Sequence, residues 1–379
     1  MIKIILSLFV AVCSIFLTID ASALDVSAKS AALIEVSSRE LVYGMNENEK
    51  LPMASTTKIM TSLLTLESGI KNDTIITTED MLKVEGTSMG LLPGDTVSVK
   101  DLVYGMLLAS GNDAANVAAM TVGGDLQKFS QLMNARAQQI GMKHTNFVTP
   151  SGLDEEGHYS TAYDMALLGA EAISNPAFRS ICCSENALLS YGNPPYPRTL
   201  TNHNRLLKTY DPAIGIKTGF TKKSGRCLVS AAEKDGVTLV AVTLNAPNDW
   251  DDHIKMFEYG FSQYKSVALD ADLSNIFLDV VGAKDDKVAL QCATQPQMTL
   301  KTSESEQVVR IIELSHFEYA PIEQGKVVGT VSYYIEDDLV CETQIVTAQS
   351  VESNTVEKKK PVEIEKKSFI ERFIEKFKK

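Results

Sequence analysis

Three short motifs made of residues that can carry out acyl transfer follow one another along the chain. They are Ser-Thr-Thr-Lys at 55–58, Ser-Gly-Asn at 110–112 and Lys-Thr-Gly at 217–219. A serine hydroxyl is a weak nucleophile until a neighbouring base takes its proton during attack on a carbonyl carbon. Lys58, three residues after Ser55, can be that base. The motifs together therefore predict an active-serine acyl-transfer site.

A helix that begins at the first motif would position the nucleophile. In residues 53–69, the apolar residues Ile59, Leu63 and Leu66 form one stripe, and a glycine follows as a stop signal. On such a helix Ser55 and Lys58 share a face, so their side chains can meet. The unpaired N–H groups of the first turn can stabilise an oxyanion that forms at Ser55.

Lys58 can act as a base only if its amine is neutral, which requires burial and a second cation nearby. Lys217 can be that cation, and it also suits the terminal carboxylate of a peptide or a β-lactam. Thr218 can add a hydroxyl hydrogen bond, and Gly219, on a predicted strand, leaves room for a substrate backbone. The Ser-Gly-Asn motif supplies the third wall of the site: the hydroxyl of Ser110 to transfer protons, and the amide of Asn112 to hold a substrate carbonyl. The site residues predicted in this way are Ser55, Lys58, Ser110, Asn112, Lys217, Thr218 and Gly219.

Other matches to catalytic patterns are less convincing. Ser-x-x-Lys recurs at 68–71 and 262–265, where no helix begins, and Ser-x-Asn recurs at 184–186, but Lys-Thr-Gly occurs once. Residues 86–90 match the Gly-x-Ser-x-Gly elbow of α/β-hydrolases, yet no apolar strand precedes them and a turn follows, so we interpret them as a loop. The five histidines form no His-x-x-x-His pair, and the adjacent Cys182 and Cys183 lack a second pair at metal-ligand spacing. We therefore predict structural cysteines, no metal and no organic cofactor.

The motifs and their surroundings resemble the low-molecular-mass penicillin-binding proteins, the D-alanyl-D-alanine carboxypeptidases of the penicillin-binding protein 5 type. The resemblance rests on LPMASTTKIMT, LPGDTVSVKDLVYGMLLASGNDAAN, HYSTAYDMALL and GIKTGFTKKSGRCLVSAA, and it runs from about Ala31 to Tyr264. It implies that the penultimate D-alanine carbonyl acylates the serine, that the terminal D-alanine leaves, and that water hydrolyses the acyl-enzyme. It also implies a peptidoglycan stem peptide as substrate and β-lactam antibiotics as inhibitors.

The same resemblance assigns roles to individual residues. It implies that Ser55 is the nucleophile, that Lys58 is the general base, and that the backbone N–H groups of Ser55 and Phe220 form the oxyanion hole. Relatives carry histidine at the position of Phe220, and a backbone donor survives that change. His203 stands where some relatives have arginine, which leaves the contacts to the substrate carboxylate open.

The two ends of the chain carry segments with separate roles. Residues 1–23 combine a lysine, an apolar run and Ala-Ser-Ala before Leu24, which predicts a secretory signal peptide rather than a membrane-spanning anchor. In residues 366–379 an apolar stripe of phenylalanines at i, i+4 and i+8 lies among charges with a net of +4. This pattern predicts an amphipathic helix on an anionic membrane surface, with a solvated or packed tail as the alternative.

Between these ends the chain is long enough for two domains. Residues 24–264 show strands at both ends around a helical middle, which predicts an α+β fold: an antiparallel sheet covered by helices, of the serine β-lactamase and penicillin-binding type. Residues 265–351 show short alternating strands and predict a small all-β domain, a β-sandwich, with no catalytic content. A charged linker at 352–365 follows. The net charge of −12, with no basic patch before the tail, argues against nucleic-acid binding.

The predicted function is that of a serine-type D-Ala-D-Ala carboxypeptidase, secreted across the cytoplasmic membrane and peripheral on its outer face. One alternative is a serine β-lactamase, which needs a carboxylate for fast deacylation, and Glu155 and Glu156 are the nearest candidates. The other alternative is a non-catalytic module that senses penicillin or binds the wall. An intact Ser55–Lys58 pair argues against that module.

Overall fold

The computed structural model of the chain describes residues 24–70, 74–302 and 308–354. The predicted signal peptide (1–23), most of the predicted linker (352–365) and the predicted amphipathic helix (366–379) lie outside these residues. Among the helices of the described segments, none combines the length and the apolar character that a membrane span requires.

The described residues form two compact units, 24–266 with 299–302 and 267–298 with 308–354. The strands of the first unit are β1 (Ser30–Glu35), β2 (Leu41–Met45), β3 (Ile75–Ile76), β4 (Thr96–Val97), β5 (Asn186–Gly192), β6 (Pro195–Thr201), β7 (Ala213–Thr221), β8 (Gly225–Lys234) and β9 (Val237–Leu244). Its helices are α1 (Lys58–Glu67), α2 (Val99–Leu107), α3 (Asn112–Gly123), α4 (Leu126–Ile140), α5 (Ala162–Ser174), α6 (Pro176–Cys182), α7 (Leu206–Thr209) and α8 (Asp249–Gln263).

A five-stranded antiparallel sheet in the order β2-β1-β9-β8-β7 forms the middle of this unit. Strand β9 is apolar along nearly its whole length because both of its faces are buried. Val240 and Val242 point into the core that contains α5, while Leu239 and Ala241 point into the core that contains α8. Helices thus cover both faces of the sheet, which confirms the predicted α+β fold class.

Local sequence signals fix several helix starts. Ser98 and Asp101 form a capping box at the start of α2, and Asp125 and Thr161 accept backbone N–H groups as N-caps of α4 and α5. Helix α4 spans Leu126–Ile140, the bounds that the apolar spacing of this segment predicts. The sequence analysis missed α8 and the hairpin of β5 and β6. Acidic residues crowd the first turn of α8, and prolines interrupt β6, so neither segment has a clean apolar period.

The remaining strands belong to the C-terminal part of the chain, which is all-β as predicted. They are β10 (Tyr264–Ala268), β11 (Phe277–Val281), β12 (Lys287–Cys292), β13 (Gln297–Lys301), β14 (Val308–Leu314), β15 (Glu318–Tyr319), β16 (Val327–Ile335) and β17 (Asp338–Thr347). Six of them form one sheet in the order β14-β16-β17-β12-β11-β15. The sandwich arrangement of this domain stays a prediction.

A buried histidine beneath the sheet of the first unit makes stability depend on pH. His253 on α8 hydrogen-bonds through Nδ1 to Ser230 and through Nε2 to Thr243 Oγ1, 3.0 Å away. Burial lowers the pKa of His253 to about 3, whereas a histidine in an unfolded chain has a pKa of about 6.5. On acidification the unfolded state takes up a proton before the folded state does. The contribution of neutral His253 to stability is therefore complete above pH ~6.5 and is lost as the pH falls below that value.

We therefore expect the free energy of unfolding to fall by about 2 kcal/mol from pH 7 to pH 5 because of His253. Urea unfolding of the wild type and of His253→Gln at both pH values measures this contribution. The variant should be less stable at pH 7 but should lose less stability on acidification. An equal loss in the two proteins would contradict this account.

Candidate active site

Ser55 lies on a turn of 3-10 helix that runs into α1, and not on the α-helix itself. The turn spans Ala54–Thr57, and α1 begins at Lys58. The prediction of one continuous helix from Ser55 was therefore wrong at its first turn. Side chains three residues apart eclipse one another in a 3-10 helix, so the pair still meets. Lys58 Nζ lies 3.0 Å from Ser55 Oγ.

The Lys58 side chain is completely buried and uses its amine for three contacts. Besides Ser55, the Nζ atom donates to Asn112 Oδ1 at 2.7 Å and to the Ser151 carbonyl oxygen at 2.6 Å. Burial holds the pKa of Lys58 well below its usual value, and the positive charge of Lys217 lowers it further, while Asp113 opposes part of the shift. A neutral amine against a serine hydroxyl is the arrangement that proton abstraction requires.

Lys217 is the second buried lysine of the site. It lies on β7, its side chain is 1% exposed, and its Nζ atom donates to the Thr218 carbonyl oxygen at 2.8 Å. Burial lowers the pKa of Lys217 to about 7. Lys217 therefore changes protonation near neutral pH, where a lysine ordinarily stays charged, and the pKa of Lys58 is shifted in the same direction.

The Ser-Gly-Asn motif forms the bend between α2 and α3. Ser110 takes a left-handed backbone conformation with φ of 58°, and its carbonyl oxygen accepts a hydrogen bond from Thr87 Oγ1 at 2.6 Å. Asn112 presents its amide oxygen to Lys58 and donates through Nδ2 to the Glu85 carbonyl oxygen at 2.6 Å. Among the described hydrogen bonds none joins the Ser110 hydroxyl to either lysine.

A buried carboxylate next to this motif holds the loop that flanks the cleft. Asp113 accepts the backbone N–H groups of Met89, Gly90 and Leu91 and the hydroxyl of Ser88 at 2.6–3.1 Å. Ser88 is the serine of the Gly-x-Ser-x-Gly pattern at 86–90. That pattern lies in irregular structure with no strand before it, which confirms its interpretation as a loop.

Two glycines allow the chain to pass close to the serine turn. A Cβ atom at Gly219 would lie 3.1 Å from the Ser55 backbone nitrogen, so β7 runs directly past the nucleophile. A Cβ atom at Gly152 would lie 1.9 Å from the Ala54 carbonyl oxygen, and its φ is +84°. Position 152 therefore requires glycine, whereas a side chain at Gly219 would fit only if the serine turn moved by a few tenths of an ångström. The loop that contains Ser151 and Gly152 was not recognised from the sequence as part of the site.

These residues open onto one cleft of about 440 Å³. Predicted residues that line it are Ser55, Ser110, Asn112, Thr218, Gly219 and Phe220. The side chain of Phe220 is exposed, and His203 also lines the cleft. At one end the cleft continues to Arg226, Asp249 and Trp250, which the sequence analysis missed because 23 residues separate Arg226 from Asp249.

Other groups considered in the sequence lie away from this chemistry. Cys182, Cys183, Cys227, Cys292 and Cys341 are free thiols, and Cys182 and Cys227 are buried. Across the described ranges no three side chains of His, Cys, Asp or Glu come together in a way that could hold a metal ion. Glu155 and Glu156 are exposed to solvent.

A serine lies against a buried amine whose pKa is lowered, with a second buried lysine nearby, on an antiparallel sheet covered by helices. This is the arrangement that acyl transfer through a serine requires. Comparisons with known proteins identify the family. The family model described as D-alanyl-D-alanine carboxypeptidase matches residues 18–248, and the model of the penicillin-binding protein 5 C-terminal domain matches residues 274–353. The chain therefore belongs to the D-alanyl-D-alanine carboxypeptidase family and is a serine hydrolase.

Individual relatives agree with this assignment. The chain is 32% identical to the D-alanyl-D-alanine carboxypeptidase DacF of Bacillus subtilis, with 86% of each chain covered. It is 30% identical to DacC of Escherichia coli, with 88% of this chain and 86% of DacC covered. The structure of penicillin-binding protein 5 from Haemophilus influenzae is similar, with a TM-score of 0.61, 27% identity and coverage of 87% of this chain and 98% of that one.

Proposed function

We propose that this protein removes the terminal D-alanine from peptidoglycan stem peptides through an acyl-enzyme on Ser55, and that β-lactams acylate the same serine. The observation that carries the proposal is the contact of 3.0 Å between Lys58 Nζ and Ser55 Oγ in a buried site. Membership of the D-alanyl-D-alanine carboxypeptidase family, over both parts of the chain, supports the choice of substrate.

Each step follows from the groups around the serine. Lys58 takes the hydroxyl proton as Ser55 Oγ bonds to the carbonyl carbon of the penultimate D-alanine, and the Ser55 and Phe220 N–H groups receive the oxyanion. The amide C–N bond then breaks, and the proton passes to the nitrogen of the departing D-alanine. Water hydrolyses the ester and regenerates the hydroxyl of Ser55.

The remaining site residues act on the substrate or on the amine of Lys58. Lys217 and Thr218 bind the terminal carboxylate, and Gly219 lets the peptide lie along β7. Asn112 holds Lys58 in place through its amide oxygen. We propose that Ser110 carries the proton between the amine of Lys58 and the leaving nitrogen once substrate is bound, because its side chain lines the same cleft.

Removing the charge of Lys217 is expected to change the pH dependence of acylation. The positive charge of Lys217 helps to keep the pKa of Lys58 low, so its loss raises the pKa of Lys58. In Lys217→Gln the acidic limb of the pH–rate profile for acylation by a penicillin should therefore move to higher pH. Lys217→Arg keeps the charge and should leave that limb near its wild-type position. An unmoved limb in Lys217→Gln would contradict the electrostatic coupling of the two lysines.

The β-lactamase alternative has less support. Fast hydrolysis of the penicilloyl-enzyme needs a carboxylate that activates water. Among the described residues that line the cleft, Asp249 is the single acidic one, and Arg226 holds it at 2.7 Å. Glu155 and Glu156 are not part of the cleft lining. We therefore expect a long-lived penicilloyl-enzyme.

We also propose that residues 1–23 direct secretion and that residues 366–379 attach the mature protein to the outer face of the membrane. Phe369, Phe373 and Phe377 would enter the interface, and the basic residues around them would face anionic lipid. Truncation after Glu365 should abolish sedimentation with anionic liposomes and leave the release of D-alanine unchanged. Retained liposome binding would contradict the anchor.

The proposed activity is tested by following free D-alanine from a stem peptide that ends in D-Ala-D-Ala. The control substrate ends in D-Ala-L-Ala. We expect D-alanine to be released from the first substrate alone, and the penicilloyl-enzyme to be hydrolysed slowly. Rapid penicillin turnover without release of D-alanine would favour the β-lactamase, and well-folded protein without either activity would favour the non-catalytic module.

A further inference from the structure

The carbonyl oxygen of Ser151 helps to set the direction in which the Lys58 amine points. A lysine amine that acts as a base is neutral, so it has two hydrogen atoms and one lone pair. Asn112 Oδ1 and the Ser151 carbonyl oxygen lie 2.7 and 2.6 Å from Lys58 Nζ. When these two oxygens accept the two hydrogens, the lone pair faces Ser55 Oγ, 3.0 Å from Nζ. Proton abstraction therefore depends on the position of the Ser151 carbonyl oxygen.

Ser151 lies in a loop that has no regular structure of its own. Residues 147–158 contain neither helix nor strand, and the backbones of Asn146 and Tyr159 pair at the two ends of this loop. On one side Thr61 of α1 donates to the Pro150 carbonyl oxygen at 2.6 Å. Side-chain contacts of this kind, and not a helix or strand, must hold the Ser151 carbonyl oxygen in place.

His158 joins this loop to the turn that carries the nucleophile. Its Nδ1 atom accepts the backbone N–H groups of Val148 and Thr149, at 2.9 and 3.3 Å. Because Nδ1 accepts, the hydrogen of the neutral ring is on Nε2, which lies 2.9 Å from Thr57 Oγ1. The ring therefore donates to Thr57, the residue before Lys58. One side chain thus connects the backbone three residues before Ser151 to the serine turn.

The surroundings of His158 keep this connection intact and separate from the substrate. The side chain is 7% exposed, and Thr57 is completely buried. Burial lowers the pKa of His158 to about 4, with the charge of Asp154 opposing part of the shift. The ring is therefore neutral near pH 7, with the one donor and one acceptor that the connection needs. Among the described residues that line the catalytic cleft, His158 is not included.

We propose that His158 is a positioning residue for acylation, which holds the loop to Thr57 so that the Ser151 carbonyl oxygen accepts one hydrogen of the Lys58 amine. This inference rests on the proposed function of Ser55. His158 does not contact Ser55 or the cleft, so its loss should slow the acylation step itself. The binding that precedes this step should not change, because Lys217 and Thr218, which bind the carboxylate, lie on β7.

Stopped-flow acylation of the full chain over a range of concentrations of a chromogenic β-lactam tests this proposal. The concentration dependence separates the rate constant of acylation from the dissociation constant of the non-covalent complex. His158→Asn keeps a polar atom near the place of Nδ1 but is too short to reach Thr57. Thr57→Val removes the acceptor from the other side, and the double variant completes a double-mutant cycle.

Asn146→Ala is the matched control. Asn146 Nδ2 donates to the Gly157 carbonyl oxygen at 2.7 Å in the same loop, so this variant removes one loop hydrogen bond and leaves both contacts of His158. Thermal unfolding measures whether each variant is folded under the assay conditions. If one of the two single variants does not fold, the other decides the test, because both break the same hydrogen bond.

Each single variant should lower the rate constant of acylation by about tenfold, with an unchanged dissociation constant, since the base is then less well aligned. The double variant should be no slower than His158→Asn, and Asn146→Ala should acylate at the wild-type rate. Effects that multiply in the double variant, equal slowing by Asn146→Ala, or an unchanged rate constant in folded His158→Asn would overturn the proposal. If the wild type is not acylated on Ser55, the proposed function fails and this inference fails with it.

Discussion

Replacing Lys58 with methionine is expected to lower the rate at which a penicillin acylates Ser55 by about 10³-fold or more. Methionine has a similar length but no amine, so it removes the base that lies 3.0 Å from the serine hydroxyl. It also leaves Asn112 Oδ1 and the Ser151 carbonyl oxygen without their donor. Stopped-flow acylation by a chromogenic β-lactam measures the rate.

Lys128→Met provides the control for this prediction, since Lys128 is an exposed residue of α4 that pairs with Asp125. It should acylate at the wild-type rate. Thermal unfolding of both variants separates lost chemistry from lost folding. A folded Lys58→Met protein that acylates within tenfold of wild type would show that another group takes the proton from Ser55.

Gly152→Ala is expected to have the second large effect, because the new methyl group has no room beside the serine turn. Its Cβ atom would lie 1.9 Å from the Ala54 carbonyl oxygen and 2.8 Å from Thr57 Oγ1. We expect the free energy of unfolding to fall by about 3 kcal/mol, with acylation slowed at least tenfold as Ser55 shifts. Urea unfolding and the penicillin assay measure the two effects.

Gly157→Ala is a matched control in the same loop region. Gly157 has nearly the same backbone conformation, with φ of +81°, but its Cβ atom would lie 3.6 Å from the nearest atom. This variant should lose about 1 kcal/mol, from the left-handed backbone alone, and should keep its activity. Equal effects of the two substitutions would mean that backbone strain, and not the close approach to Ala54, sets the requirement for glycine.

Much of the fold was predictable because its local signals agree with its tertiary structure. The buried strand β9 is apolar along nearly its whole length, and α4 begins at an Asp cap and ends before Gly141. Helix α8 was missed because its first turn is crowded with acidic residues, which a sequence pattern does not separate from a surface loop. Its apolar side becomes clear only once the sheet beneath it is known.

The candidate site was predictable in composition but not in its electrostatics. The spacing of Ser55 and Lys58 predicted their contact, although the turn between them is 3-10 and not α. The chemistry of the motif indicates that Lys58 must be buried near another cation. It does not indicate that the carbonyl oxygen of Ser151, 93 residues away, accepts a hydrogen bond from the Lys58 amine. The pairing of Arg226 with Asp249 is likewise a product of tertiary contact.

Mass spectrometry of the protein after brief reaction with a penicillin tests the central claim most directly. We predict that the mass of each chain increases by that of one penicillin molecule and that proteolysis locates the adduct on the peptide that contains Ser55. The mass of Ser55→Ala should not increase. The same variant should release no D-alanine from a stem peptide. An adduct on another residue, or release of D-alanine by Ser55→Ala, would contradict the assignment of Ser55 as the nucleophile.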